Sequence, residues 1–113
     1  MAGRRDLTIQ EKAWAEALCK LGSVEEVGAW LPDERLLLMD RIAKGFDGLE
    51  WCEWHSALMD CVVKQLFEMA VTKARHEMPG HTDVEPEIAV VATGGYGRRE
   101  LSPYSDLDLT FIP

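Results

Sequence analysis

Apolar residues in roughly the first two-thirds of the chain recur at three- and four-residue steps, the spacing that lines one face of an α-helix. Thr8 with Glu11 fits a capping box, followed by Ala13, Trp14, Ala17, Leu18 and Leu21 as one stripe that Gly22 ends. Ser23 with Glu26 fits a second box, opening a short helix through Val27 and Trp30 that Pro32 is expected to break. Asp33 then caps a third helix through Leu36, Leu37, Met39, Ile42 and Ala43, with Gly45 as its stop. The longest pattern runs from about Leu49 to Met78. There Trp51, Trp54, Leu58, Cys61, Val62, Leu66, Met69 and Ala70 predict a single buried stripe. At 1.5 Å per residue this helix reaches about 40 Å. Pro79-Gly80 terminates it, and HTDVEPE reads as a polar linker.

The period then changes. Glu87 to Thr93, EIAVVAT, is a short β-branched run with apolar residues on both faces, which predicts a strand covered on both sides. Asp106 to Ile112, DLDLTFI, alternates instead: Asp106, Asp108 and Thr110 share one face, and Leu107, Leu109 and Phe111 the other. The order is about four helices, strand, glycine-rich turn, strand. The predicted class is α+β, with a helical leader over residues 1–80 and the start of a sheet domain over 81–113.

Composition is that of a globular chain: 113 residues, 47% hydrophobic and 28% charged. The formal net charge of −8 argues against a nucleic-acid partner, which selects for a basic face, and against an anionic membrane surface. No apolar run reaches the length of a transmembrane helix, and the N-terminus lacks the apolar core of a secretory signal. Cys19, Cys52 and Cys61 are scattered, odd in number and without CxxC spacing, so they read as thiols in a reducing compartment. A cytoplasmic location is the expectation. His55, His76 and His81 are unclustered and read as surface or core histidines.

The chemistry concentrates at the end of the chain. Residues two apart on a strand point the same way, so Asp106 and Asp108 aim two carboxylates at one place. Such a pair repels itself unless a cation or proton sits between. Oxygen-only ligands suit Mg²⁺ or Mn²⁺ together with substrate phosphates. An isolated D-x-D is more often a solvated strand edge. Gly94, Gly95 and Gly97 allow a sharp turn and a close approach of backbone N–H groups to a phosphate, or simply a tight turn. Arg98 and Arg99 suit phosphate oxygens, or pair on the surface with Glu100. The parts become specific only in combination: strand, Gly-Gly, ten residues, then D-x-D opening a second strand.

That combination resembles the nucleotidyltransferase superfamily that includes DNA polymerase β. Within it, Gly94-Gly95-Tyr96-Gly97-Arg98-Arg99-Glu100-Leu101-Ser102-Pro103-Tyr104-Ser105-Asp106-Leu107-Asp108-Leu109 closely resembles the N-terminal catalytic domain of the protein-PII uridylyltransferase/uridylyl-removing family. The resemblance implies the first two strands of a polymerase β-like sheet. It also implies metal-dependent transfer of UMP from UTP to a tyrosine of the regulatory protein PII. Asp106 and Asp108 would hold Mg²⁺ or Mn²⁺, and Gly94, Gly95, Arg98 and Ser105 would face the nucleotide, Ser105 either on a phosphate or as a cap of the turn. Tyr96, Pro103 and Tyr104 would shape the loop. The superfamily draws a third carboxylate from a later strand, whereas this chain ends five residues after Asp108. It is therefore expected to be an incomplete N-terminal fragment, weak or inactive alone, without the family's HD and ACT modules. Three other readings remain. One is the adenylyltransferase that modifies glutamine synthetase, which carries a similar stretch. Another is a non-catalytic nucleotide-binding domain. The last is a helical interaction module that docks through Trp51 and Trp54.

Overall fold

A computed structural model of the chain describes residues 4–45, 47–77, 88–101 and 107–113. Three long helices, α1 (Arg4–Cys19), α2 (Val24–Ala43) and α3 (Gly48–Glu77), precede strand β1 (Ala89–Thr93), a single helical turn α4 (Gly94–Gly97) and strand β2 (Asp108–Ile112). The predicted α+β class holds. Pro79-Gly80, the HTDVEPE linker and the expected boundary between residues 80 and 81 lie outside the described residues. Among the described residues no helix is long and apolar enough to cross a membrane.

The predicted second and third helices are one. α2 runs through Pro32, which loses one backbone hydrogen bond and strains the preceding turn. Tertiary packing outweighs that cost. Val27 and Leu38 are both buried, and eleven residues is close to three helical turns, so an unbroken helix puts both on one face. Continuity also sets the phase of the second half. Leu38 turns inward, while Leu36 and Leu37, expected in the core, are 63% and 58% exposed. The start of α1 is corrected as well. Thr8 is not a cap, because the helix begins at Arg4 and carries Leu7 into the stripe two turns before Trp14. Ser23 caps α2 as predicted, accepting from Glu26 N–H at 3.2 Å, while the Glu26 carboxylate reaches one residue further back and accepts from Gly22 N–H at 2.9 Å. Asp47 caps α3 in the same way, accepting from Glu50 N–H at 2.8 Å.

α3 is the spine of the molecule. One core joins Leu7 and Trp14 of α1 and Leu38 of α2 to Trp51, Trp54, Ala57 and Leu58. Trp14 and Trp54 meet edge to face at 6.3 Å, and the Arg41 guanidinium lies 5.0 Å from the centre of the Trp54 ring. The tryptophans are buried, which removes the Trp51/Trp54 docking surface. A second core joins Leu18 and Val27 to Met59 and Val62 of α3 and to Tyr96 and Leu101 of the segment between the strands. The helices and the sheet thus share α3 as a common wall.

β1 and β2 are antiparallel, with register Ala89↔Ile112 through Thr93↔Asp108. Opposite residues share a face. Ala92, Leu107 and Leu109 pack against the second core, while Thr93, Asp108 and Thr110 are exposed on the other face. β1 is therefore covered on one face, not on two as its apolar run predicted, and Val91 is 38% exposed. The reason is layering: α3 lies under one side of the sheet.

Two tests follow from this packing. Leu58 is fully buried at the centre of the first core, and Leu58→Ala is expected to cost about 2–5 kcal/mol in urea unfolding. Gly97 has no room for a side chain, since a Cβ there would stand 2.7 Å from Ala92 O. Gly97→Ala is expected to lose about 1–3 kcal/mol in the same measurement. Gly95→Ala is expected to fold normally, because its Cβ would meet nothing closer than 3.8 Å.

Candidate functional site

Three polar residues of α3, His55, Ser56 and Asp60, hold the segment that follows β1. Asp60 accepts from the Tyr96 hydroxyl at 2.6 Å, and its other oxygen lies 3.4 Å from Arg99 Nη1. Ser56 Oγ accepts from Leu101 N–H at 3.3 Å and donates to Cys52 O at 2.8 Å. His55 Nδ1 lies 3.1 Å from Leu101 O, and Nε2 lies 3.3 Å from Arg35 Nε. Arginine can only donate, so Nε2 accepts, and Nδ1 carries the proton and donates to Leu101 O. The imidazole is thus neutral. Burial, with the Arg35 charge in support, lowers its pKa against the opposing effect of the Leu101 bond. Tyr96 moves the other way: burial, then the bond to Asp60 and the charge of that carboxylate, push its phenol well up. It stays protonated at neutral pH, which suits a donor that shapes the turn and not a base. Burial likewise raises the Cys61 and Cys52 thiols, which keeps them in the less reactive protonated form.

Above this anchor stands the glycine turn. Arg98 N–H donates to Gly94 O at 3.2 Å, Arg99 N–H to Tyr96 O at 3.0 Å and Glu100 N–H to Gly95 O at 2.9 Å. Arg99 closes the turn at φ 59°, in the left-handed region. Gly94 is required by its backbone conformation and sits close under the movable end of Asp108. Its φ is +60°, and a Cβ would stand 2.5 Å from Asp108 Oδ2. The carboxylate of the D-x-D strand therefore rests on the backbone of the first glycine. A Cβ on Gly95 would be 3.9 Å from Arg98 Nη2, so the Arg98 guanidinium lies beside the second glycine. Arg98 also pairs with Glu100 at 3.4 Å, with both side chains exposed, a contact that exchanges readily with solvent and ligands.

Of the residues predicted for the site, the fold brings together Gly94, Gly95, Arg98 and Asp108. Ser105 and Asp106 lie outside the described residues, as do Pro103 and Tyr104. Among the described residues no group of three or more His, Cys, Asp or Glu side chains is placed to hold a metal ion. His76 is exposed, His55 is a core residue, and His81 lies outside the described residues. Sequence reasoning missed Asp60 and Ser56. On the helix Ser56 and Asp60 stand on the side away from the stripe of Trp54, Leu58 and Val62, so the apolar periodicity carried no signal for them.

Comparison with known proteins agrees with this geometry. The glutamate-ammonia ligase adenylyltransferase family model matches residues 37–113, from the second half of α2 through β2. Curated relatives are bifunctional uridylyltransferase/uridylyl-removing enzymes. That of Azospirillum brasilense is 42% identical over 71 residues, 62% of this chain and 7% of the relative. That of Bradyrhizobium diazoefficiens is 34% identical over 103 residues, 91% of this chain and 10% of the relative. That of Phenylobacterium zucineum is 35% identical over 81 residues, 69% of this chain and 8% of the relative. The chain therefore spans a tenth or less of the length of these relatives. No solved structure matches it. With the Gly-Gly turn lying under an aspartate of the adjacent strand and the family model covering α3 and the whole sheet, the chain belongs to the glutamate-ammonia ligase adenylyltransferase family of nucleotidyltransferases.

Proposed function

We propose that this chain carries part of a metal-dependent nucleotidyl-transfer site, which in its parent enzyme moves UMP from UTP to a tyrosine of a PII-type regulatory protein. The observation that carries the reading is the contact of Asp108 with Gly94. It puts a carboxylate on the exposed sheet face, directly beside a backbone cradle with no side chain of its own. Asp108 and, two residues earlier, Asp106 are the metal ligands in this reading, and an exposed carboxylate beside free backbone fits a hard cation that shares its shell with phosphates. A bound Mg²⁺ or Mn²⁺ supplies charge neutralisation on the triphosphate and acidifies the attacking hydroxyl. Gly95 keeps the turn low enough for a phosphate to approach, since its missing Cβ is not demanded by any neighbour in the fold. Arg98 leaves its exposed partner Glu100 for the phosphates. Ser105 faces the nucleotide or caps the turn. The acceptor hydroxyl oxygen forms a bond to the α-phosphorus, and the bond from that phosphorus to the bridging oxygen of the β-phosphate breaks. Pyrophosphate leaves with the electron pair, and the hydroxyl proton is lost to solvent.

The family model bears the name of an adenylyltransferase and the relatives that of a uridylyltransferase, so the nucleotide is the point of decision. The PII reading rests on the Tyr-Gly-Arg after Gly95 and the Pro-Tyr-Ser before Asp106. In a displacement assay against a fluorescent nucleotide with Mn²⁺ present, UTP is expected to compete more strongly than ATP. The opposite order transfers the reading to the adenylyl enzyme. For the metal, paramagnetic broadening by substoichiometric Mn²⁺ is expected at the amides of Gly94, Gly95 and Asp108, and is expected to disappear in Asp108→Asn with the fold intact by circular dichroism. Broadening spread evenly over all acidic residues would rule out the site.

A further inference from the structure

We propose that His55 and Ser56 of α3 are positioning residues for the segment joining β1 to β2, gripping both backbone groups of Leu101 and so setting the glycine turn against Asp108. Leu101 is seven residues after Gly94 and seven before Asp108, the midpoint of the connection. Its side chain is 1% exposed, and both its N–H and its C=O are taken by adjacent residues of one helix. A buried loop residue has no ladder partner of its own, so these side chains supply what secondary structure cannot. Two bonds of opposite polarity from a rigid helix fix the position and the orientation of that peptide. Asp60, one turn further along α3, fixes the turn itself through Tyr96 and Arg99.

The contact of His55 with Arg35 depends on a neutral imidazole, whereas the Nδ1–H bond to Leu101 O does not. A protonated His55 has no acceptor left and turns an N–H toward the Arg35 guanidinium. The groups around it are Arg35 from α2, the Leu101 carbonyl from the loop and the stacked Trp51 ring of α3 at 4.9 Å. Cys52 lies one turn before it on α3, with Glu100 of the loop acting on that thiol, and Asp60 follows on the same helix. The folded pKa lies below the ordinary value of about 6.5. The Arg35 contact is therefore complete above that pH and is lost as pH falls through the folded value, which sets two like charges beside the Leu101 bond.

The test uses the ¹⁵N-labelled 113-residue chain with no metal or nucleotide. At pH 7.5 the Leu101 amide is expected to exchange slowly. On acidification the amides of Gly94 to Gly97 and Asp108 are expected to shift in step with the His55 imidazole. His55→Asn keeps an N–H within reach of Leu101 O but cannot titrate, so the loop stays docked at neutral pH and the acid step vanishes. Ser56→Ala removes one acceptor and is expected to speed Leu101 exchange about tenfold, with the α1 and α3 core amides unchanged. The proposal is overturned if the loop amides titrate unaltered in His55→Asn, or if Leu101 exchange is unchanged in Ser56→Ala. The second variant decides alone if the first does not fold. The consequence for catalysis rests on the nucleotidyl-transfer reading, but the grip does not. Failure of that reading shows instead in the Mn²⁺ broadening and leaves these amide measurements untouched.

Discussion

The hold of α3 on the segment after β1 is the interaction on which the rest of the site depends. Two antiparallel strands are marginal as an isolated unit, because they bury little on either face. Here the sheet gains its footing from one helix that already forms the wall of the helical core. Leu101 and Tyr96 plug into the second core, and His55, Ser56 and Asp60 satisfy the polar groups that those plugs carry inward. Apolar burial supplies the driving force and does not by itself choose an orientation. The hydrogen bonds add about 1 kcal/mol each and are costly to leave unmade, which is how they select one arrangement.

That anchoring divides the connection into two sides. The underside is buried and directional: a protonated phenol, a neutral imidazole and a carboxylate each have their partners. The upper side is open. Asp108 rests on Gly94 and faces outward with Thr93 and Thr110, and among the described residues Arg98 is tied to an exposed glutamate. In the proposed site this asymmetry matters, since groups aimed at a ligand are useful only if the elements behind them do not yield. The two arginines show the division within one dipeptide. Arg99 turns down to Asp60 as part of the support, and Arg98 stays on the surface.

The glycines illustrate how much of the site was legible in advance. Their spacing to the D-x-D strand was enough to identify the family, and the fold brings Gly94 and Asp108 together as that spacing implied. Which glycine does what was not legible. Gly94 is demanded by its φ of +60° and Gly97 by the closeness of Ala92 O in the flanking strand, whereas a Cβ on Gly95 would meet nothing closer than 3.8 Å. His55 likewise looked like any unclustered histidine, because its partners Arg35 and Leu101 lie 20 and 46 positions away.

Local pattern by itself determined the existence of the long helix, the Ser23 cap, the two strands and the alternation that turns Asp108 to the open face. These follow from periodicity and short-range hydrogen bonding, whose physics lies within a few residues. Tertiary structure decided the rest. It carried α2 through Pro32 because Val27 and Leu38 must both reach the core, extended α1 back to include Leu7, and buried only one face of β1. It also made His55, Ser56 and Asp60 the support of the segment after β1. Each of those outcomes depends on which surfaces meet, and packing between distant residues outweighs local preference wherever a buried contact is worth more than a strained turn.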